Sequence, residues 1–133
     1  MLPEHYANLP RWSFGDSPEQ ADQLLRLVLN GTKTATCSAL QSYLDEREPL
    51  PKQGVRSIIE DGRGVPVCVV EVVSVTQQRF QNIDAAFARA EGEGDQSLAY
   101  WQREHQTFFE RLGLFAEEML LVCEHFKVIE ELP

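Results

Sequence analysis

The first amphipathic segment of the chain lies in residues 17–30. Four apolar residues fall on one helical face: Ala21, Leu24, Leu25 and Val28. Ser17 stands at the cap position, Pro18 suits the first turn, and Gln20 occupies the third helical position of a capping box. Gly31 then supplies a residue that adopts the left-handed conformation at a helix end. The pattern predicts a helix over residues 17–30.

The next part of the chain is rich in strand-forming residues. Residues 32–38 are small and β-branched, which favours a strand or an extended loop. Residues 39–46 fit a short helix. Two β-rich runs, residues 55–60 and 65–75, flank the sequence DGRG at residues 61–64, which predicts a hairpin.

The last third returns to helical spacing and ends on a strand pattern. Residues 83–90 predict one helix, the glycine-containing residues 91–95 interrupt it, and residues 97–112 predict another. The second helix carries one stripe: Leu98, Trp101, His105, Phe108 and Leu112. Residues 119–129 predict a final strand. This order of elements is typical of an α+β domain with a small antiparallel sheet or barrel.

Length and composition suit one domain over residues 1–133. No apolar run approaches the ~20 residues needed to cross a bilayer, so we expect a soluble, cytoplasmic protein. Its three cysteines, Cys37, Cys68 and Cys123, form no CxxC pair, and the histidines add no zinc-type spacing. We therefore expect a reduced protein with no cofactor and no metal, in which Cys68 and Cys123 are core residues.

The net charge of −9 restricts the partners. A protein that binds many phosphates needs a basic face, and this chain has only three lysines and scattered arginines. We expect no membrane partner and no extended duplex nucleic acid. A small nucleoside-like ligand or a short single-stranded RNA remains compatible, and the oligomeric state is not predicted.

The sequence GTKTAT at residues 31–36 is the most informative chemical motif. It lacks the first glycine of a phosphate-binding P-loop. Between Asp22 and Asp45 the only charged residues are Arg26 and Lys33, so an otherwise acidic chain has a locally positive segment here. Such a segment suits an anion or an electron-rich carbonyl.

Glu71 is the only charged residue in the apolar run of residues 65–75. A carboxylate in a strand core is costly to bury unpaired, so it either points outward or meets a cation. Lys33 is a natural partner. If the two meet, burial lowers the pKa of the lysine and Glu71 raises it, and both directions remain open.

Other residues have both a structural and a functional interpretation. Trp101 and His105 lie one helical turn apart. For Trp101 we expect a packing role, with base stacking as the alternative. For His105 we expect a core histidine, with a catalytic role as the alternative. The acidic residues Glu91, Glu93 and Asp95 suit a solvated helix break, with a divalent-ion site as the alternative.

Four ordered stretches resemble the ASCH domain family: residues 12–18, 31–38, 64–71 and 91–98. The last runs on into residues 101–105, so the resemblance covers nearly the whole chain. It implies a PUA-like small antiparallel β-barrel flanked by helices, with a cleft between barrel and helices.

Family members of known activity include small amidohydrolases that remove the acyl group from acylated cytidine. Their catalytic lysine, threonine and glutamate map by resemblance to Lys33, Thr36 and Glu71. Five further residues are expected to bind substrate: Trp12, Ser38, Tyr43, Trp101 and His105. Other members are RNA-binding modules, coactivator domains or ribonucleases. The extra helical residues 83–112 distinguish this chain from the smallest amidohydrolases, so a metal-assisted ribonuclease and a non-catalytic RNA-binding module remain alternatives.

Overall fold

The computed structural model describes residues 3–133, and Met1 and Leu2 lie outside the described residues. Its strands in chain order are β1 (Arg11–Trp12), β2 (Ala35–Ala39), β3 (Arg56–Glu60), β4 (Pro66–Arg79) and β5 (Leu120–Glu131). Its helices are α1 (Pro18–Leu29), α2 (Leu40–Glu46), α3 (Ala85–Glu91) and α4 (Leu98–Arg111). Two short 3-10 helices cover Glu4–Tyr6 and Phe80–Asn82.

The five strands form one mixed sheet in the order β1-β3-β4-β5-β2. β1 pairs in parallel with β3, and the other neighbouring strands are antiparallel. The predicted α+β class is confirmed. The sheet is open and not a closed barrel, because β1 and β2 form its two edges and do not pair with each other within residues 3–133.

One contact of the capping box predicted for α1 forms as expected at Ser17, and the other reaches one residue further back, to Asp16. The Ser17 hydroxyl accepts a hydrogen bond from the Gln20 amide at 3.1 Å, and the Gln20 side chain accepts one from the Asp16 amide at 2.7 Å. At the other end, the amides of Thr32 and Lys33 both donate to the carbonyl of Leu27, at 2.9 and 3.0 Å. The end of α1 therefore fixes where the GTKTAT motif leaves the helix.

The two larger of the three apolar clusters lie on opposite faces of the sheet. One cluster packs α3 and α4 on β2 and β5, and includes Phe80, Phe87, Trp101, Phe109, Leu121 and Cys123. The other packs α1 on the central strands, and includes Phe14, Leu25, Val28, Ile59, Cys68 and Phe126. Cys68 and Cys123 are core residues, as predicted. Within the described part of the chain, none of the helices has the length and hydropathy to cross a membrane.

Candidate active site

Lys33 is buried, with 2% of its surface exposed, at the point where β2 and the end of α3 meet. Its ammonium group donates to the Ala35 carbonyl, to Glu91 Oε1 and to Glu93 Oε2, each at 2.9 Å. The ring of Phe14 covers it, with 5.6 Å between Nζ and the ring centroid. All three N–H donors of Lys33 are therefore bound by protein groups.

Glu91 is the second buried charge of the site, and it is also 2% exposed. Its Oε1 binds Lys33. Its Oε2 accepts from Trp101 Nε1 at 2.7 Å, from Cys37 Sγ at 3.3 Å and from His105 Nε2 at 3.2 Å. Both oxygens of this carboxylate are thus occupied.

The two buried charges stabilise each other in their ionised forms. Burial lowers the pKa of Lys33, but the negative charges of Glu91 and Glu93 outweigh burial and raise that pKa overall. Burial likewise raises the pKa of Glu91. Lys33 and His105 lower this pKa by more than burial raises it, so the pKa of Glu91 lies below its usual range. Lys33 is therefore an ammonium ion and not a proton acceptor. The sequence left open whether the pKa of Lys33 is raised or lowered, and the two carboxylate partners raise it.

His105 stacks on Trp101, with ring centroids 4.2 Å apart and an interplanar angle of 17°. Its Nδ1 lies 2.9 Å from the Trp101 carbonyl, and its Nε2 lies 3.2 Å from Glu91. Both partners are acceptors, so the geometry favours an imidazolium that donates from both nitrogens. Burial lowers the pKa of His105, but the hydrogen bond to Glu91 and the charge of Glu91 raise it overall.

This geometry predicts a pH-dependent contribution of His105 to stability. The raised pKa means that the contribution is complete below about 6.5, the value for an unfolded histidine, and is lost as pH rises through the folded pKa. The free energy of unfolding of the wild type should exceed that of His105→Gln most at about pH 6 and least at about pH 9. Urea unfolding across this range measures the difference. A difference between the wild type and His105→Gln that stays constant from about pH 6 to about pH 9 would refute the assignment.

The turn after α3 brings the carboxylates to Lys33. Gly92 has φ +72°, and a Cβ there would lie 2.5 Å from the Thr32 carbonyl oxygen. The Thr34 amide also donates to the Ala90 carbonyl at 2.7 Å. Because the backbone after α3 touches the motif so closely, a glycine is required at position 92.

The expected ion pair between Lys33 and Glu71 is not formed. Glu71 binds Arg56 at 3.0 Å and Lys127 at 3.7 Å, and its side chain is 23% exposed. Arg56 in β3 and Lys127 in β5 are its register partners on the two adjacent strands. Two cations directly across the sheet account for this carboxylate, so the structure gives Glu71 no contact with the site.

The expected solvated helix break is wrong for Glu91 and Glu93. Glu91 is buried and the Glu93 side chain is 24% exposed, because both carboxylates bind Lys33. Only Asp95 is exposed as expected, and it accepts a hydrogen bond from the Ser97 amide at 2.9 Å, near the start of α4. The locally positive segment is also neutralised, since two carboxylates surround the charge of Lys33.

Two cavities meet at Thr36. The first has a volume of about 180 Å³ and is lined by Lys33, Thr36, Glu93, His105 and ten or so further residues. The second has a volume of about 480 Å³ and contains three of the predicted substrate-binding residues, Trp12, Ser38 and Tyr43. Thr36 lines both cavities, and its hydroxyl makes no hydrogen bond to another described residue.

Trp101 has the packing role that we expected. It is 2% exposed, lies in the core cluster under α4 and lines neither of these cavities. In this structure the buried ring of Trp101 is not accessible for base stacking, which was the alternative role and the basis of its place among the substrate-binding residues. The stripe on α4 is also shorter than predicted, because Leu112 is 51% exposed.

Three residues of the site have metal-ligand atoms close together. One such atom from each of Cys37, Glu91 and His105 lies within 4.8 Å of the others. The group does not fit a metal, because a cation there would face the Lys33 ammonium and would compete with the donors already bound to Glu91. Burial and the nearby Glu91 charge also raise the pKa of the Cys37 thiol well above its usual value, which disfavours a thiolate ligand.

Sequence reasoning missed Glu93 as a partner of Lys33 and missed Glu124, which lines the second cavity. Glu124 carried a weaker form of the signal at Glu71, because it is the only acidic residue of residues 119–129 but shares that strand with Lys127. The signal at Glu93 was weaker, since its neighbours are glycine and acid residues typical of a loop.

The sequence profile of the ASCH domain matches residues 10–130. A solved ASCH domain from Lactobacillus crispatus JV V101 is 38% identical, with a TM-score of 0.84, over 94% of this chain and 82% of that one. A solved protein from Enterococcus faecalis V583 is 41% identical, with a TM-score of 0.84, over 92% of this chain and 77% of that one.

An ASCH protein from Zymomonas mobilis shares only the fold with this chain. It is 15% identical, with a TM-score of 0.56, over 93% of this chain and 71% of that one. The search of curated proteins found no match. The profile match over nearly the whole chain, together with the two closely superimposing structures, shows that this protein belongs to the ASCH domain family, which has a PUA-like fold.

Proposed function

We propose that this ASCH domain is a hydrolase that removes the acyl group from an acylated cytidine nucleoside such as N4-acetylcytidine. The observation that carries the proposal is the placement of Lys33, Thr36 and Glu93 on the wall of one cavity, with Lys33 buried and bound to the carboxylate. An amine, a hydroxyl and a carboxylate are the groups that the resemblance to ASCH amidohydrolases implies. Glu93 takes the place that was expected for Glu71.

Glu93 suits proton transfer better than Glu91 does. Both oxygens of Glu91 are occupied by protein donors, so Glu91 serves as a positioning residue for Lys33 and His105. Glu93 binds Lys33 through Oε2 alone, and its side chain is partly exposed to the cavity. It therefore has a free oxygen that can accept a proton from a reacting group.

In the proposed mechanism the Thr36 hydroxyl attacks the acyl carbon, and Glu93 accepts the hydroxyl proton. The bond between the acyl carbon and the exocyclic nitrogen breaks, and Glu93 returns the proton to the leaving amine, which yields cytidine and an acyl ester on Thr36. Water then attacks the ester carbon, and Glu93 accepts one of its protons. The bond between the acyl carbon and the Thr36 oxygen breaks, and Glu93 returns the proton to that oxygen, which releases the carboxylic acid and restores the Thr36 hydroxyl. Lys33 holds Glu93 in position through their contact at 2.9 Å.

The charge of the protein supports a small neutral substrate. At −9 the chain repels phosphate-rich polymers. The one lysine in the site is already held by two carboxylates. A nucleoside without phosphate meets neither obstacle, and Trp12, Ser38, Tyr43 and His105 line the space available to it.

Chromatography of the purified protein with N4-acetylcytidine tests the proposal. Cytidine and acetate should accumulate in proportion to enzyme. Single-stranded RNA, incubated with and without a divalent metal, should remain intact and should bind weakly. Intact N4-acetylcytidine refutes the hydrolase; metal-dependent cleavage of RNA would indicate a ribonuclease instead, and tight RNA binding without turnover would indicate a binding module.

Replacement of Glu93 by glutamine should lower kcat/KM for N4-acetylcytidine by about 100- to 10,000-fold, because the variant loses the proton acceptor. The fold should persist, since Lys33 keeps its ion pair with Glu91. Steady-state kinetics and the unfolding midpoint measure the two effects. The control is Glu110→Gln, at an exposed glutamate of α4, which should match the wild type. A Glu93→Gln variant with wild-type kcat/KM would remove Glu93 from the mechanism.

A further inference from the structure

The second cavity contains a carboxylate with no partner among residues 3–133. Glu124 lies in β5 directly opposite Thr36 of β2. It lines the 480 Å³ cavity and is only partly exposed. Within the described chain, every buried side-chain nitrogen or oxygen has a hydrogen-bond partner, so the unpaired oxygens of Glu124 open onto the cavity. Burial raises the pKa of Glu124, and no nearby cation lowers it.

The walls of this cavity suit a flat, uncharged ligand. Trp12, Tyr43 and Phe126 present aromatic rings to it, and such rings stack on nucleobases. Arg11 is the only cation among the lining residues, and Glu60 holds its guanidinium at 2.7 Å. A phosphate therefore finds no free positive charge here, whereas an N–H donor finds the carboxylate of Glu124.

We propose that the second cavity binds the base of the nucleoside, and that Glu124 selects cytosine by accepting a hydrogen bond from its exocyclic N–H. Carboxylates recognise the cytosine amine in this way, and uracil has a carbonyl oxygen at the same position, which a carboxylate repels. Glu124 is thus a specificity-determining residue.

The register of the sheet links this contact to the reaction, and here the inference rests on the proposed hydrolase function. Directly opposite residues on antiparallel strands have Cβ atoms about 5 Å apart, so Thr36 and Glu124 are immediate neighbours on one face. In an acylated cytidine the exocyclic nitrogen keeps one N–H and bears the acyl group on its other bond. When Glu124 accepts that N–H, the acyl carbon lies beside Thr36.

NMR titration of the wild-type protein with three unacylated nucleosides tests the selection. Cytidine should bind about 10- to 100-fold more tightly than uridine, the effect of one hydrogen bond to a charged group. N4,N4-Dimethylcytidine, which has no exocyclic N–H, should bind as weakly as uridine. In Glu124→Gln the preference for cytidine should fall to about threefold or less, because an amide both donates and accepts. The control Glu46→Gln, at an exposed glutamate at the end of α2, should keep the wild-type preference.

Equal affinity of the wild type for cytidine and uridine, or an unchanged preference in Glu124→Gln, overturns the inference. If that variant does not fold, the comparison of cytidine with N4,N4-dimethylcytidine on the wild type decides alone. Turnover of N4-acetylcytidine on the same samples separates the two proposals. Selective cytidine binding without turnover supports the base site and refutes the hydrolase. Turnover without selective cytidine binding supports the hydrolase and refutes the base site.

Discussion

Replacement of Lys33 by methionine is expected to lower the free energy of unfolding by about 3–5 kcal/mol, the usual cost of removing one partner from a buried ion pair. Methionine fills a similar volume but leaves Glu91 and Glu93 without their cation in a site where Glu91 is 2% exposed. Urea unfolding monitored by circular dichroism measures the loss. The control is Lys52→Met, at an exposed lysine, which should stay within about 0.5 kcal/mol of the wild type.

A double variant distinguishes the ion pair from simple packing. When Glu91→Gln is added to Lys33→Met, the buried negative charge that has lost its lysine partner is removed. The double variant should therefore be more stable, by at least about 1 kcal/mol, than the sum of the two single changes predicts. Additive effects would show that the two groups do not interact and that Lys33 contributes only volume.

Replacement of Thr36 by valine is expected to lower kcat for N4-acetylcytidine at least about 1,000-fold, because the variant keeps the shape of the side chain and loses the hydroxyl that we propose as the nucleophile. The Thr36 hydroxyl makes no hydrogen bond within the described chain and lies at a cavity wall. The free energy of unfolding should therefore change by no more than about 1 kcal/mol. Single-turnover kinetics and urea unfolding provide the two measurements.

Two matched variants serve as controls for Thr36→Val. Thr36→Ser keeps a hydroxyl and should retain measurable turnover. Thr34→Val alters an exposed threonine two residues earlier on the same segment, whose hydroxyl contacts the Ala90 carbonyl at 3.4 Å, and should behave as the wild type. Wild-type kcat in Thr36→Val would exclude Thr36 as the nucleophile. A loss of stability that matches the loss of activity would indicate a structural role instead.

Much of the secondary structure was determined locally and was predicted on that basis. The capping box at Ser17 and the glycine after the helix specify α1, and the DG turn specifies the hairpin of β3 and β4. These signals involve residues within a few positions of one another, so the interactions can be predicted from the sequence without the tertiary structure. β4 was predicted to end at residue 75 but continues to Arg79, because it pairs with β5 along its length. That pairing partner lies some forty residues away.

The sequence by itself determined the α+β class and the family, and it singled out Lys33 and Thr36 as candidate site residues. Only the tertiary structure decided which carboxylate meets Lys33. Glu71 is an isolated charge in an apolar strand, but Arg56 and Lys127 neutralise it across the sheet. Glu91 and Glu93 look like a polar break, but a close approach at Gly92 places them against the buried amine. The physical reason is that the energy of an ion pair depends on distance through space and on burial, and both are set by packing between segments that are remote along the chain.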